Sequence, residues 1–230
     1  MADDATPSPE PRARRPRGPA LSAERIVAEA MALIDAEGLD AFSFRTLAAR
    51  LGCQAMSIYH YFPSKAHLYD ALVAICLAEA MDWPDRGSWQ ERMRAAMAAY
   101  RRMALNHPRF FLFFGTYRLN DRAGLTYLDR ILRVFEMTGL DDEARARQFR
   151  ILGYYLTGAC WDEALGYARG SSAANPVPPD EARRDFPAIM AVGPYFGTDR
   201  HQLTFDAGID ILIAGMEAEI RQSLSAQSGK

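Results

Sequence analysis

Residues 43–68 read SFRTLAARLGCQAMSIYHYFPSKAHL, and this stretch decides the fold. Ser43 is a residue that accepts hydrogen bonds from a first helical turn, so it opens the helix FRTLAARL, which Gly52 stops. After the single residue Cys53, QAMSIYHY forms another short helix. Pro63 ends it, because the residue before a proline is pushed out of the α region. Ser64 caps a longer helix in which Leu68, Leu72 and Ile75 recur at three- and four-residue spacing. Upstream, Ser22 caps a helix carrying Ile26, Ala30, Leu33, Ile34 and Glu37 until Gly38 stops it.

These four helices, with an elbow after Gly52, have the form of a helix-turn-helix unit, whose second helix fits the major groove of B-DNA while the first braces it. On a helical wheel Ile58, Phe62, Ala55 and Gln54 share an inner side that packs on Leu47 and Leu51. Met56, Ser57, Tyr59 and His60 point outward. Hydroxyls, an imidazole and an apolar contact are groups that read base edges or grip phosphate.

Beyond this unit, residues 82–87 (DWPDRG) are a turn-rich break. Ser88-Trp89-Gln90-Glu91 has the spacing of a capping box and opens a helix to about Asn106. Pro108 opens a strongly aromatic helix, Asp121 one that ends at Gly139, and Asp141 one running towards Arg169. Residues 170–180 read as a loop, a short piece follows, and a last helix covers roughly Gln202 to Ser223. No stretch sustains period-two alternation. The expectation is an all-α chain of about nine or ten helices. It has three parts: a disordered Arg-rich arm at 1–20, a helix-turn-helix domain at 21–81, and a larger helical domain at 86–226.

Composition narrows the function. The chain has 230 residues, 49% of them hydrophobic, and a net charge of −2, which excludes both a disordered chain and a uniformly basic nucleic-acid binder. The charge is uneven: residues 11–65 carry eight basic against five acidic side chains, and residues 66–230 nineteen against twenty-one. Arg12, Arg14, Arg15 and Arg17 cluster in the arm, where contact with DNA phosphate stands beside plain solvation as a reading. Lysine occurs only at Lys65 and Lys230.

Cys53, Cys76 and Cys160 include no C-x-x-C pair, which argues for a reducing cytosol and a cytoplasmic location. No apolar run approaches the roughly 18 residues of a membrane span, and the first twenty lack the apolar stretch of a secretory signal. His60, His67, His107 and His201 are isolated from one another, so neither a metal site nor a cofactor is expected. With no G-x-S-x-G elbow, P-loop or dinucleotide fingerprint, the chain does not read as an enzyme.

Leu51-Gly52-Cys53, then Ser57-Ile58-Tyr59-His60-Tyr61-Phe62, then Ser64-Lys65 with Leu68 three residues on, resembles the fingerprint of the tetracycline-repressor (TetR) family. That resemblance covers residues 22–80. Gly87-Ser88-Trp89-Gln90-Glu91 and the run Phe205-Asp206-Ala207-Gly208-Ile209-Asp210, ending Gly215-Met216-Glu217, are similar to the C-terminal domain of the tetracycline repressor's own subgroup. The resemblance implies a homodimeric transcriptional regulator, most often a repressor, that leaves a palindromic double-stranded DNA operator when a small molecule binds its C-terminal domain. It places Arg45, Gln54, Ala55, Met56, Ser57, Tyr59, His60 and Tyr61 at DNA-contacting positions and Lys65 at a phosphate-contacting one. Where that subgroup has a drug-binding histidine at the end of the fourth helix, this chain has Met81, so the resemblance carries the family and not the drug.

Five aromatics in the eight residues Phe110–Tyr117 are either plain core or the wall of a pocket. With Tyr155 and Trp161 they suggest a metal-free site for an apolar or aromatic inducer, at Phe114, Tyr117, Tyr155 and Trp161. Phe205, Ile209, Leu212, Ile213, Met216 and Ile220 repeat along the last helix, which predicts a four-helix dimer interface with the 141–169 helix. The alternatives are an activator, a ligand-independent regulator, or an all-α small-molecule binding protein.

Overall fold

The computed structural model describes residues 20–166 and 172–228, with side chains to Ser225. Its helices are α1 (Ala23–Glu37), α2 (Phe44–Leu51), α3 (Ala55–Tyr59), α4 (Lys65–Ala80), α5 (Trp89–Asn106), α6 (Pro108–Phe114), α7 (Arg122–Glu136), α8 (Asp142–Leu165), α9 (Pro179–Asp185), α10 (Pro187–Val192) and α11 (His201–Ser228). Two short 3₁₀ turns lie between α10 and α11. No strand occurs among the described residues, so the all-α expectation holds. Arg12, Arg14, Arg15 and Arg17, and the end of the helix expected to reach Arg169, lie outside the described residues.

The caps written in the sequence set most of these boundaries. Ser22 Oγ accepts from the Arg25 N–H at 3.2 Å, Ser43 and Thr46 form one reciprocal capping box, and Ser88 and Glu91 form another. Asp121 and Asp141 accept from the N–H groups of Gly124 and Ala144. Ser64 departs from expectation: its hydroxyl shares a 2.8 Å hydrogen bond with His67 Nδ1 and caps nothing. The extra helices come from α9 and α10, each opened by a proline at its first turn, where the missing N–H costs no hydrogen bond. The helix expected over 54–61 covers only five residues, its end continuing as a turn through Phe62 N–H to Ile58 O.

Helices α1–α3 pack with the first half of α4 into a head, and α4 then runs on to lie against α5 and α7. Helix α6 touches both α1 and α8, so it joins head to body a second time. In the body α5, α7 and α8 pack on one another, and α11 lies along α8 and α5. Arg101 on α5 makes two donor contacts to the Glu163 carboxylate on α8, at 2.6 and 2.5 Å, where both side chains are largely buried.

One expectation about α11 is corrected. Phe205, Ile209, Ile213 and Met216 are buried against the chain's own body, so they are unavailable to a partner. The apolar residues left exposed are Leu203, Ile211 and Leu224 on α11 and Ile151, Tyr154, Trp161 and Leu165 on α8. The α8 set is spaced by three, seven and four residues and so makes a single stripe.

Candidate nucleic-acid interface and cavity

Helices α2 and α3 meet at Gly52, whose φ of 67° lies in the left-handed region that glycine adopts without a Cβ clash. Cys53 N–H reaches Ala48 O at 3.0 Å and Gly52 N–H reaches Ala49 O at 3.3 Å. This pair of bonds closes α2 and turns the chain into α3. Ile58 and Phe62 are buried in the core that holds Leu47, Leu51 and Leu68, and they fix which face of α3 looks out.

The outer face carries Met56, 65% exposed, with Tyr59, His60 and Tyr61 beside it and Ser57 half-buried, while Ala55 packs inward against the core. Gln54, expected on the inner side, is exposed, because its backbone is extended and the helix begins only at Ala55. The Tyr59 ring stands edge-on to Phe44 at 4.8 Å. Tyr61 Oη donates to Leu21 O at 2.8 Å, which ties the exit of α3 to the entrance of α1. Arg50 is taken by Glu29 at 2.5 Å and Glu37 at 3.6 Å. Arg45 and Lys65 are thus the cations of α2–α4 with no carboxylate partner among the described residues. Lys65 Nζ donates to Phe42 O at 3.0 Å and sits 5.5 Å from the centre of the Phe42 ring, using one of its three N–H groups.

A partly open cavity of about 160 Å³ lies in the body between α5, α6, α7 and α8. Met97 and Tyr100 come from α5, Phe114 from α6, Tyr127, Leu128 and Ile131 from α7, and Phe149, Leu152, Gly153 and Leu156 from α8. Tyr117 and Leu119 close it from the turn after α6, and no charged side chain lines it. Two of the four residues expected here, Phe114 and Tyr117, are in the wall. Tyr155 and Trp161 are not. Tyr155 points at α11, where its Oη donates to Phe205 O at 2.8 Å and a Cβ at position 208 would strike it. Trp161 lies exposed on α8. One residue along a helix is about 100°, so Leu152, Gly153 and Leu156 face the cavity while their neighbour Tyr155 faces elsewhere. The contribution of α7 escaped the sequence reading, because its apolar stripe has the spacing of ordinary core.

Three phenols give this wall its polarity. Burial holds the Tyr127 hydroxyl well above the usual tyrosine range, and does the same for Tyr100. A hydrogen bond to the Asp70 carboxylate on α4, with burial and the charge of Asp70 adding, pushes Tyr117 up to about 12. All three stay protonated at neutral pH, with the Tyr117 O–H donated to Asp70 and the Tyr100 hydroxyl hydrogen-bonded to Thr157. No group of three or more metal-ligating side chains occurs among the described residues. Nor is any described helix long and apolar enough to cross a membrane. Cys53, Cys76 and Cys160 are free thiols.

Two family models match the chain. "Bacterial regulatory proteins, tetR family" matches residues 26–72, and "Tetracyclin repressor-like, C-terminal domain" matches residues 83–220. A protein of Saccharopolyspora erythraea described as an HTH-type transcriptional regulator is 27% identical over 204 residues, covering 87% of this chain and 86% of its own. A solved structure of a possible TetR family transcriptional regulator from Streptomyces coelicolor superposes with a TM-score of 0.72 at 24% identity, covering 86% of this chain and 99% of the other. The Streptomyces coelicolor TetR family protein ActR, solved in complex with actinorhodin, superposes with a TM-score of 0.67 at 27% identity, covering 88% of this chain and 99% of ActR.

Proposed function

The chain belongs to the tetR family of bacterial regulatory proteins, and from that premise we propose that it is a transcriptional repressor released from a palindromic operator by a small molecule. The observation that carries the reading is the outer face of α3, held out by two buried anchors and bearing base-reading groups with Arg45 and Lys65 nearby. In this reading residues 21–81 bind DNA, and residues 86–226 bind the ligand and dimerise. Arg45, Gln54, Ala55, Met56, Ser57, Tyr59, His60 and Tyr61 address base edges and backbone, and Lys65 addresses phosphate. The protein acts in the cytoplasm and is not an enzyme.

Two copies pair through the exposed stripe of α8 and the exposed side of α11, which fixes the separation of the two α3 helices. Successive major grooves lie about 34–36 Å apart, and only a matching separation engages both half-sites. A ligand that binds better to a mismatched spacing releases the operator by that difference in affinity. The ligand's place is the cavity, at Phe114 and Tyr117 together with Tyr100 and Tyr127. An uncharged wall suits an apolar or aromatic molecule, bound without metal. The ActR complex with actinorhodin supports a ligand in a domain of this fold.

The test has two arms. Duplexes selected from random DNA by the full chain are measured by gel shift across a salt series. Aromatic compounds are then screened by thermal shift with EDTA present, and hits are added to the gel shift. A preferred palindrome released by a metal-free hit is the expected result. Binding without sequence preference overturns the repressor and leaves an all-α binding protein, and tighter DNA binding with the hit overturns release by the ligand.

A further inference from the structure

The cavity among α5–α8 does not end at its own wall. Gly115, Phe149 and Gly153 also line an open groove of about 700 Å³ between α7 and α8. Leu132 forms the α7 side of this groove, and Ala146, Arg150, Tyr154 and Thr157 form the α8 side. At about 160 Å³ the cavity is smaller than the roughly 300–1,000 Å³ of sites that hold drug-sized molecules, and the groove supplies the missing room.

Among the described residues lining either space, Arg150 is the one that carries a charge. Its neighbours on α8 are engaged: Arg145 pairs with Glu136 and Asp142, and Arg147 with Glu219. Arg150 has no hydrogen-bond or ion-pair partner among the described residues. The positions three and four residues to either side of it are Ala146, Arg147, Gly153 and Tyr154, so no carboxylate on its own helix face competes for it. At about 100° per residue, Arg150 falls between the cavity-facing Phe149 and Gly153 and the exposed Tyr154 and Trp161. It stands where the uncharged interior opens to solvent.

We propose that cavity and groove are one site for an amphipathic anion, with an apolar or aromatic body in the cavity and a carboxylate on Arg150. This rests on the reading of the cavity as the ligand's place and adds the ligand's charge to it. A guanidinium presents a planar fork of N–H donors that matches both oxygens of a carboxylate. An amine in the same place would meet like charge with no acid to relieve it. Arg150 is exposed, so water and salt screen the pair, and its effect on affinity is modest.

The probes are 2-naphthyl alkanoic acids with one to five methylenes between ring and carboxyl, together with their primary amides, which keep the shape and lose the charge. Binding to the full chain is measured by equilibrium dialysis with EDTA present. The expected result is a chain length at which the acid binds about tenfold more tightly than its amide. Arg150→Gln weakens that acid to the level of the amide and leaves the amide unchanged. Arg150→Lys keeps part of the preference, and added salt reduces it. A Cβ at position 153 meets nothing within 4 Å, so Gly153→Leu fills the passage between the two spaces and weakens acid and amide alike.

Amides that bind as well as acids at every length overturn the proposal and leave the cavity reading standing. A preference for the acid that survives Arg150→Gln also overturns the proposal alone. If Arg150→Gln sediments differently from the unaltered chain, the guanidinium belongs to a contact between copies and the proposal falls. Binding that ignores Gly153→Leu puts the probe in the groove only, and the single site falls together with the cavity reading. If neither acids nor amides bind, both fall.

Discussion

The head and the body are made of the same kind of helix and spend their apolar side chains differently. In the head, Ile26, Ile34, Leu47, Ile58 and Leu68 are all fully buried, and apart from Met56 and the small side chains of Ala28, Ala32, Ala36 and Ala49 the exposed positions of α1–α3 are polar or aromatic with a polar tip. A unit of four short helices has no apolar surface to spare, so every core position is needed and the outer face is left for recognition. The body keeps a void among α5–α8 and leaves Ile151, Tyr154, Trp161 and Ile211 in the open. Function in the head therefore lies on a rigid surface, and function in the body lies in its imperfect packing.

The largest effect that would sharpen this contrast is unfolding of the head alone. Ile58→Ala is expected to cost about 2–5 kcal/mol, since the site is completely enclosed. Trp83, Trp89 and Trp161 all lie beyond the head. In urea, far-ultraviolet circular dichroism should then begin to fall before tryptophan fluorescence changes, whereas coincident transitions would mean head and body fold as one unit. Next in size are the recognition residues. Arg45→Ala and Tyr59→Ala should each cost about 1–3 kcal/mol per half-site on the selected duplex and leave the melting midpoint alone. Lys65→Ala should weaken all duplexes alike and flatten the salt dependence, and a change of sequence preference would remove it from the phosphate.

A smaller, pH-dependent effect sits at the joint between the two regions. His107, between α5 and α6, shares hydrogen bonds with Asp35 of α1 at 2.8 Å and Glu79 of α4 at 2.9 Å. Asn106 donates to the same Glu79, and Arg102 adds its positive charge nearby. The bond to Asp35, opposed by burial and helped by Glu79, holds the imidazole above its ordinary 6.5. Protonation in the folded state is thus favoured, and the stabilisation is complete below that ordinary value and lost as pH rises through the raised one. The stability advantage over His107→Gln should be largest near pH 6 and shrink towards pH 8. A flat difference across that range would leave the joint without this tie. Smallest is a pair of caps: Ser88→Ala should cost about 1 kcal/mol in the body, and Ser64→Ala only a few tenths in the head, because Ser64 caps nothing.

The head was almost entirely legible from its residues, because Ser22, Ser43, Gly52 and Pro63 act on the backbone within one turn of themselves. Such signals are local and need no knowledge of the partner surface. The body was legible in its helix starts at Ser88, Asp121 and Asp141, for the same reason, and opaque in its interior. Phe110–Tyr117 could be core or wall, and the answer was both: Phe110 and Phe111 are fully buried, while Phe114 and Tyr117 line the cavity. The placement of Tyr155 depended on where α11 lies, a contact fifty residues away that no periodicity encodes. The same holds for α11, where the apolar repeat gave the buried side correctly as apolar and could not say whether this chain or a second one covers it.

Lys65 brings the contrast down to a single functional group. Arginine supplies all but two of the 27 cationic side chains, so apart from Lys230 and the amino terminus the protein offers an acylating reagent only this one amine. It stands at the start of α4, with one of its three N–H groups bound to the Phe42 carbonyl. Guanidinium groups ignore such reagents at neutral pH. A mass change confined to residue 65 would therefore count the molecules whose recognition face is bare, and its suppression would count those already seated on a duplex. The scarcity of lysine makes the chain its own footprinting label.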